Sequence, residues 1–134
     1  MVDTKRRIVY IEDEYDMIDL VRLILGQKGY EVVGAIGGRE GLTMVQQELP
    51  DLVLLDLMMP DIGGWEVYQQ MKADESTREI PVIIITAKAQ SIDKVLGLNI
   101  AKVDDYISKP FSPQELIDCV GSVIAKQAAK NVTD

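Results

Sequence analysis

The chain has 134 residues, 47% of them apolar, and carries fourteen basic against twenty-two acidic side chains for a net charge of −8. That length suits one domain with a real apolar core. Without a histidine there is no Ser-His-Asp triad, no imidazole general base and no His-ligated zinc, and a single cysteine, Cys119, excludes an internal disulfide.

The acidic balance disfavours binding to nucleic acid or anionic lipid and favours hard cations. The longest apolar run, Ile80 to Ala87, is far below the ~18–20 residues that cross a bilayer. Ile8 to Ile11, behind a charged start, is too short for a signal peptide. The expectation is a cytoplasmic protein with no membrane contact and no direct nucleic acid binding.

Five apolar runs have the length of strands. The first, Ile8–Ile11, leads into Glu12-Asp13-Glu14 and then a stretch where Met17, Leu20, Val21 and Ile24 recur at helical spacing, with Gly29 placed for a left-handed stop. The second is Glu31–Ile36. Leu52–Leu55 and Val82–Ile85 are continuously apolar and rich in Val, Ile and Leu, the pattern of central strands covered on both faces of a parallel sheet. The fifth is the short Tyr106–Ile107. Each run is followed by a helix-like stretch. The last helix opens with Ser112-Pro113-Gln114-Glu115, a capping box with proline in its first turn, and continues with Leu116, Val120, Val123 and Ile124 on one stripe. Residues 1–4 and 128–134 are expected as frayed ends or linker.

Five β-α units in series predict right-handed crossovers and an α/β fold, a doubly wound five-stranded parallel sheet in the flavodoxin-like order 2-1-3-4-5. A single domain is expected over 1–134, with its core at about 6–125. Ligands of such folds bind beyond the carboxyl ends of the strands, where the winding reverses, here between strands 1 and 3. Glu12 and Asp13 follow strand 1, Asp56 follows strand 3, Thr86 ends strand 4, and Lys109 with Pro110 follows strand 5. Three carboxylates, a hydroxyl and an ammonium thus share one rim. Clustered carboxylates repel, and Mg²⁺ relieves that repulsion while keeping waters and phosphate oxygens in its shell. With the cation and Lys109 on the equatorial oxygens, Asp56 could attack a phosphoryl group in line. Taken singly, each residue has an ordinary explanation as a cap, a loop charge or a strand residue; the set is what carries the reading.

At these residues the chain resembles the receiver domain of bacterial two-component response regulators, the CheY-like family. The resemblance runs from about Arg6 to Ala125 and rests on Ile8-Val9-Tyr10-Ile11-Glu12-Asp13-Glu14, on Pro50-Asp51-Leu52-Val53-Leu54-Leu55-Asp56-Leu57-Met58-Met59-Pro60, on Gly64, on Thr86-Ala87, and on Asp104-Asp105-Tyr106-Ile107-Ser108-Lys109-Pro110-Phe111. It implies that Asp56 is the phosphoacceptor. Asp13, Asp56 and the backbone carbonyl of Met58 would hold Mg²⁺, with Glu12 acting directly or through water. Thr86 and Lys109 would hold phosphoryl oxygens, and Lys109-Pro110 would be cis. Thr86 and Tyr106 would form the switch, reshaping the face made by the fourth helix, the fifth strand and the fifth helix.

The resemblance further implies a signalling domain that catalyses its own phosphotransfer and autodephosphorylation, rather than an enzyme. Its partners would be a sensor histidine kinase or a histidine phosphotransfer protein, and an output domain or downstream protein on the switching face. A monomer or a weak phosphorylation-linked dimer is expected. Lys94, Asp104 and Asp105 fit the dimer pattern of the winged-helix branch, whereas Cys119 stands where such receivers carry an arginine. Gly37 and Gly63 replace acidic or amide residues common in the family, and 97–104 is one residue longer than usual, with Lys102 for a glycine. Two other classes fit less well. A haloacid-dehalogenase-like hydrolase needs a second Asp where Met58 stands, and a flavin module needs a phosphate cradle where Glu12-Asp13-Glu14-Tyr15 would repel phosphate.

Overall fold

The computed structural model describes residues 5–87 and 103–132. In chain order these form β1 (Arg7–Glu12), α1 (Tyr15–Gly26), β2 (Glu31–Ile36), α2 (Gly38–Glu48), β3 (Leu52–Leu55), α3 (Gly64–Ala73), β4 (Val82–Thr86), β5 (Asp105–Ser108) and α4 (Pro113–Val132). The helix expected between the fourth and fifth strands, with Lys94 and residues 97–102, lies outside the described residues, so α4 here is the last helix of the sequence reading. The strands form one sheet in the order β2-β1-β3-β4-β5, and every pair is parallel. The predicted architecture is thus observed.

Strand alternation sorts the core into two layers. Ile8, Tyr10, Leu52, Leu54, Ile83, Ile85 and Ile107 face α1 and α4. Val9, Ile11, Val53, Leu55, Val82 and Ile84 face α2 and α3. Both predicted central strands, β3 and β4, are buried at every residue. On α3, Trp65 stacks on Tyr68 with ring centroids 5.0 Å apart and 15° between planes. At the amino end of the sheet, Arg7 pairs with Glu31 and Glu48, and its amide donates to Asp51.

Helix ends follow their local chemistry. Gly29, at φ +90°, lets the chain turn from α1 into β2, as the left-handed stop requires. The α4 capping box is complete: the Glu115 amide donates to Ser112 Oγ and the Ser112 amide to Glu115 Oε1, each at 3.1 Å. Leu116, Val120, Val123 and Ile124 are all buried, as their spacing predicts.

Two expectations are corrected. The buried stripe of α1 is Ile18, Val21, Ile24 and Leu25; Leu20 is 44% exposed, and Met17 is only half-buried. The periodicity admitted either side of Val21-Ile24, and the crossing against β2 selects Ile18, whose Cγ2 lies only 2.4 Å from where a Cβ on Gly34 would sit. Secondly, α4 continues to Val132, through residues expected as tail. The run from Lys126 to Lys130, Lys-Gln-Ala-Ala-Lys, is made of strong helix formers with nothing to stop the helix.

Candidate functional site

Strand register builds the site. Ile11 pairs with Leu55, so Glu12 and Asp56 leave their strands side by side. Thr86 pairs with Ser108, which puts Lys109 at the same edge. By alternation, Glu12 continues the Ile8-Tyr10 face, Asp56 the Leu52-Leu54 face and Lys109 the Ile107 face, all toward α1 and α4. Their side chains meet accordingly. Lys109 Nζ lies 2.7 Å from Glu12 Oε1 and 3.1 Å from Asp56 Oδ2. Glu12 is fully buried and Asp56 is 4% exposed. Asp13 completes an acidic triplet in which one carboxylate oxygen from each residue lies within 4.8 Å of the others.

Each buried charge is partnered, as its desolvation demands. The Glu12 carboxylate also accepts from the Tyr10 hydroxyl at 2.8 Å and from the Asp13 and Glu14 amides at 3.0 and 3.3 Å. Asp56 Oδ1 accepts from the Met58 amide at 3.0 Å. Burial drives the Glu12 carboxyl upward, but the hydrogen bonds from Lys109 and Tyr10 outweigh it and hold the group below its ordinary value. Burial and the neighbouring Glu12 charge push Asp56 up, against the Met58 amide and Lys109. Contact with Glu12, then burial, raises Asp13. Burial alone would lower Lys109, yet Glu12 and Asp56 raise it, so it stays a cation at neutral pH.

Thr86 is fully buried, and its hydroxyl oxygen has no hydrogen-bond partner among the described residues. Alternation puts it on the Ile84 face, opposite the three charged side chains and on the same face as Tyr106, which is 43% exposed. Thr86 is therefore at the site's edge with no hydrogen bond to the carboxylates. The Lys109–Pro110 bond is cis. Asp104 accepts from the Val82 amide, and Asp105 from the Tyr106 amide and the Cys119 thiol, so both acids of the expected pairing face are engaged within the chain. Burial, then the Asp105 carboxylate, pushes that thiol up to about 12.

Tyr10 is a functional neighbour that the sequence reading did not single out. The signal was present: residues two apart on a strand share a face, so Tyr10 belongs beneath Glu12.

The sequence model of the response regulator receiver domain matches residues 8–121. The chain belongs to that family. Solved structures agree. A CheY-like receiver domain protein from Methanospirillum hungatei JF-1 is 31% identical with a TM-score of 0.84, covering 95% of this chain and 99% of that one. The chemotaxis response regulator CheY4 of Vibrio cholerae is 25% identical with a TM-score of 0.81, covering 90% and 99%. NtrX from Brucella abortus is 25% identical with a TM-score of 0.85; the match covers 97% of this chain but 29% of that one. Receiver domains are phosphorylation-regulated signalling domains, and this chain is one of them.

The donor set suits Mg²⁺. All three groups are hard oxygen donors within reach of one cation. Burial first and then the Glu12 charge raise Asp56, and contact with Glu12 raises Asp13, so part of each shift is carboxylate repulsion of the kind a divalent ion relieves. A buried hydroxyl without a partner offers a donor to an incoming oxygen.

Proposed function

We propose that Asp56 accepts a phosphoryl group from a phosphohistidine on a partner kinase or phosphotransfer protein and that the phosphorylated form signals through the face that includes β5 and α4. The observation that carries this is the Lys109 ammonium held 2.7 Å from Glu12 and 3.1 Å from Asp56 in an almost dry pocket.

The chemistry follows from these residues. An Asp56 carboxylate oxygen attacks phosphorus as the bond to the donor imidazole nitrogen breaks, and the departing imidazole takes a proton from solvent. Lys109 gives up its bond to Asp56 Oδ2 and binds an equatorial phosphoryl oxygen, while Glu12 keeps it in place. Thr86 Oγ1 donates to another oxygen. Asp13, Asp56 and the Met58 carbonyl, with Glu12 directly or through water, would hold Mg²⁺, which would neutralise charge on the phosphoryl oxygens. Attack of water on the acyl phosphate returns the carboxylate, releases inorganic phosphate and ends the signal.

Moving Thr86 toward the phosphoryl group opens space on the face it shares with Tyr106, which the half-exposed ring turns in to fill. Moving such an equilibrium from 1:99 to 99:1 takes about 5.5 kcal/mol. Charge-assisted bonds from one phosphoryl group, ~1–3 in number, supply a large part of it. The output is an attached domain or a separate protein reading the face that includes β5 and α4.

Intact-mass analysis after incubation with Mg²⁺ and a small phosphodonor tests the reading. Wild type should gain one phosphoryl group, and Asp56→Asn none. No gain in wild type, or equal gain in the variant, removes Asp56 from its role.

A further inference from the structure

The segment that leads from Asp56 to α3, residues 57–63, carries Met58, whose carbonyl is a ligand in the function proposed above. Its two ends are tied at the site itself. The Met58 amide donates to Asp56 Oδ1 at 3.0 Å, and the Gly64 amide to the Leu57 carbonyl at 3.2 Å. Gly64 sits so close that a Cβ there would lie 2.2 Å from the Asp56 carbonyl oxygen. The middle of the segment is tied elsewhere, to the first turn of α2.

That turn lacks a cap of its own. Its N-cap is Gly37, at φ +93°, which has no side chain to offer the free amides. Asp61 supplies the cap from the neighbouring segment: Oδ1 accepts from the Gly38 amide and Oδ2 from the Arg39 amide, both at 3.0 Å. The two glycines make room. A Cβ on Gly37 would lie 3.1 Å from Asp61 Oδ2, and one on Gly38 2.5 Å from Ile62 Cγ1 and 2.8 Å from the Ile62 carbonyl. The Arg39 and Gly38 amides hold the Asp61 carboxyl down at about 2, so the tie is charged at any physiological pH.

We infer that Asp61 is a positioning residue of the phosphotransfer site: by capping α2 it pins the 57–63 segment and thereby fixes where the Met58 backbone stands relative to Asp56. An ordinary cap stabilises the helix that carries it. This one joins a neighbouring helix to the metal-binding loop, so its loss is felt at both places. The inference rests on the reading of the Met58 carbonyl as a ligand, and it also makes a statement about the metal-free chain that stands apart from that reading.

The experiment compares wild type, Asp61→Ala, Asp61→Asn and the control Val45→Ala, which weakens the buried side of α2 while keeping the Asp61 cap. Amide hydrogen exchange is measured without metal, and Mg²⁺ affinity by titration calorimetry with the metal alone. A lost cap is worth about fivefold in an equilibrium. Asp61→Ala should therefore speed exchange by about fivefold at Gly38 and Arg39 and also at Met58, and weaken Mg²⁺ binding by about the same factor. Asp61→Asn, which keeps one acceptor oxygen, should recover part of both. Val45→Ala should lower stability while leaving Met58 exchange and Mg²⁺ affinity at wild-type values. If Asp61→Ala speeds only Gly38 and Arg39, Asp61 is a helix cap and the inference is overturned. If wild type binds no Mg²⁺, the metal reading fails, and Met58 exchange alone then decides whether Asp61 positions the loop.

Discussion

Replacing Lys109 by Met removes the ammonium between two buried carboxylates while keeping an unbranched apolar stem. Breaking a buried pair from one side costs about 3–5 kcal/mol. Glu12 retains the Tyr10 hydroxyl and two amides, and Asp56 retains the Met58 amide, so the lower end applies, about 3 kcal/mol at pH 7. A ceiling follows from proton uptake, because Asp56 can neutralise itself instead of remaining bare. From an ordinary value of 3.8, protonation costs about 4.4 kcal/mol at pH 7 and only about 1.6 kcal/mol at pH 5. The sign is fixed by linkage: an acid whose folded value is raised further loses stability as pH rises from its unfolded value toward its folded one. The deficit of Lys109→Met should thus be small near pH 4 and grow toward pH 7. Urea unfolding followed by circular dichroism across that range measures it. A deficit of equal size at pH 5 and pH 7 would mean that Lys109 acts through packing, and the electrostatic account would be wrong.

Asp56→Asn should show the opposite trend in metal-free protein. Wild type loses stability as pH climbs from 3.8 through the raised folded value of Asp56, whereas the variant does not, so their urea midpoints should separate in the variant's favour above about pH 4; converging curves would contradict the raised value. Gly64→Ala forces a Cβ against the Asp56 carbonyl and should cost about 1–3 kcal/mol as well as most of the phosphoryl gain seen by intact mass. Wild-type labelling in that variant would show that the close approach is dispensable. Ser112→Ala breaks the α4 capping box and should cost about 1 kcal/mol in urea unfolding while leaving phosphoryl gain unchanged.

What the sequence carried well were features set by local pattern. Unbroken apolar runs placed β3 and β4 in the centre, and the spacing of residues ending successive strands brought Glu12, Asp13, Asp56 and Lys109 to one edge. What it carried poorly depended on facing surfaces. Choosing Ile18 over Leu20 for the core requires knowing how α1 crosses β2, and helical spacing alone admits both. The direct bond of Lys109 to Glu12, 97 residues away in the chain, follows only once strand order and face parity are combined. Asp61 is harder still. It sits in a turn rich in Pro, Asp and Gly where an exposed acid is commonplace, and its partners are backbone amides of a helix that shares no sequence signal with it.

The stacked ring pair on α3 has a practical meaning. Trp65 is the chain's sole tryptophan, and it directly follows the glycine whose backbone rests on the Asp56 carbonyl. Under the function proposed above, a displacement of that backbone on loading of Asp56 would reach an indole stacked on a phenol ring. The indole thus stands one residue from a backbone contact of Asp56, and under the function proposed above its emission should change with metal binding, phosphoryl loading and decay, without any label.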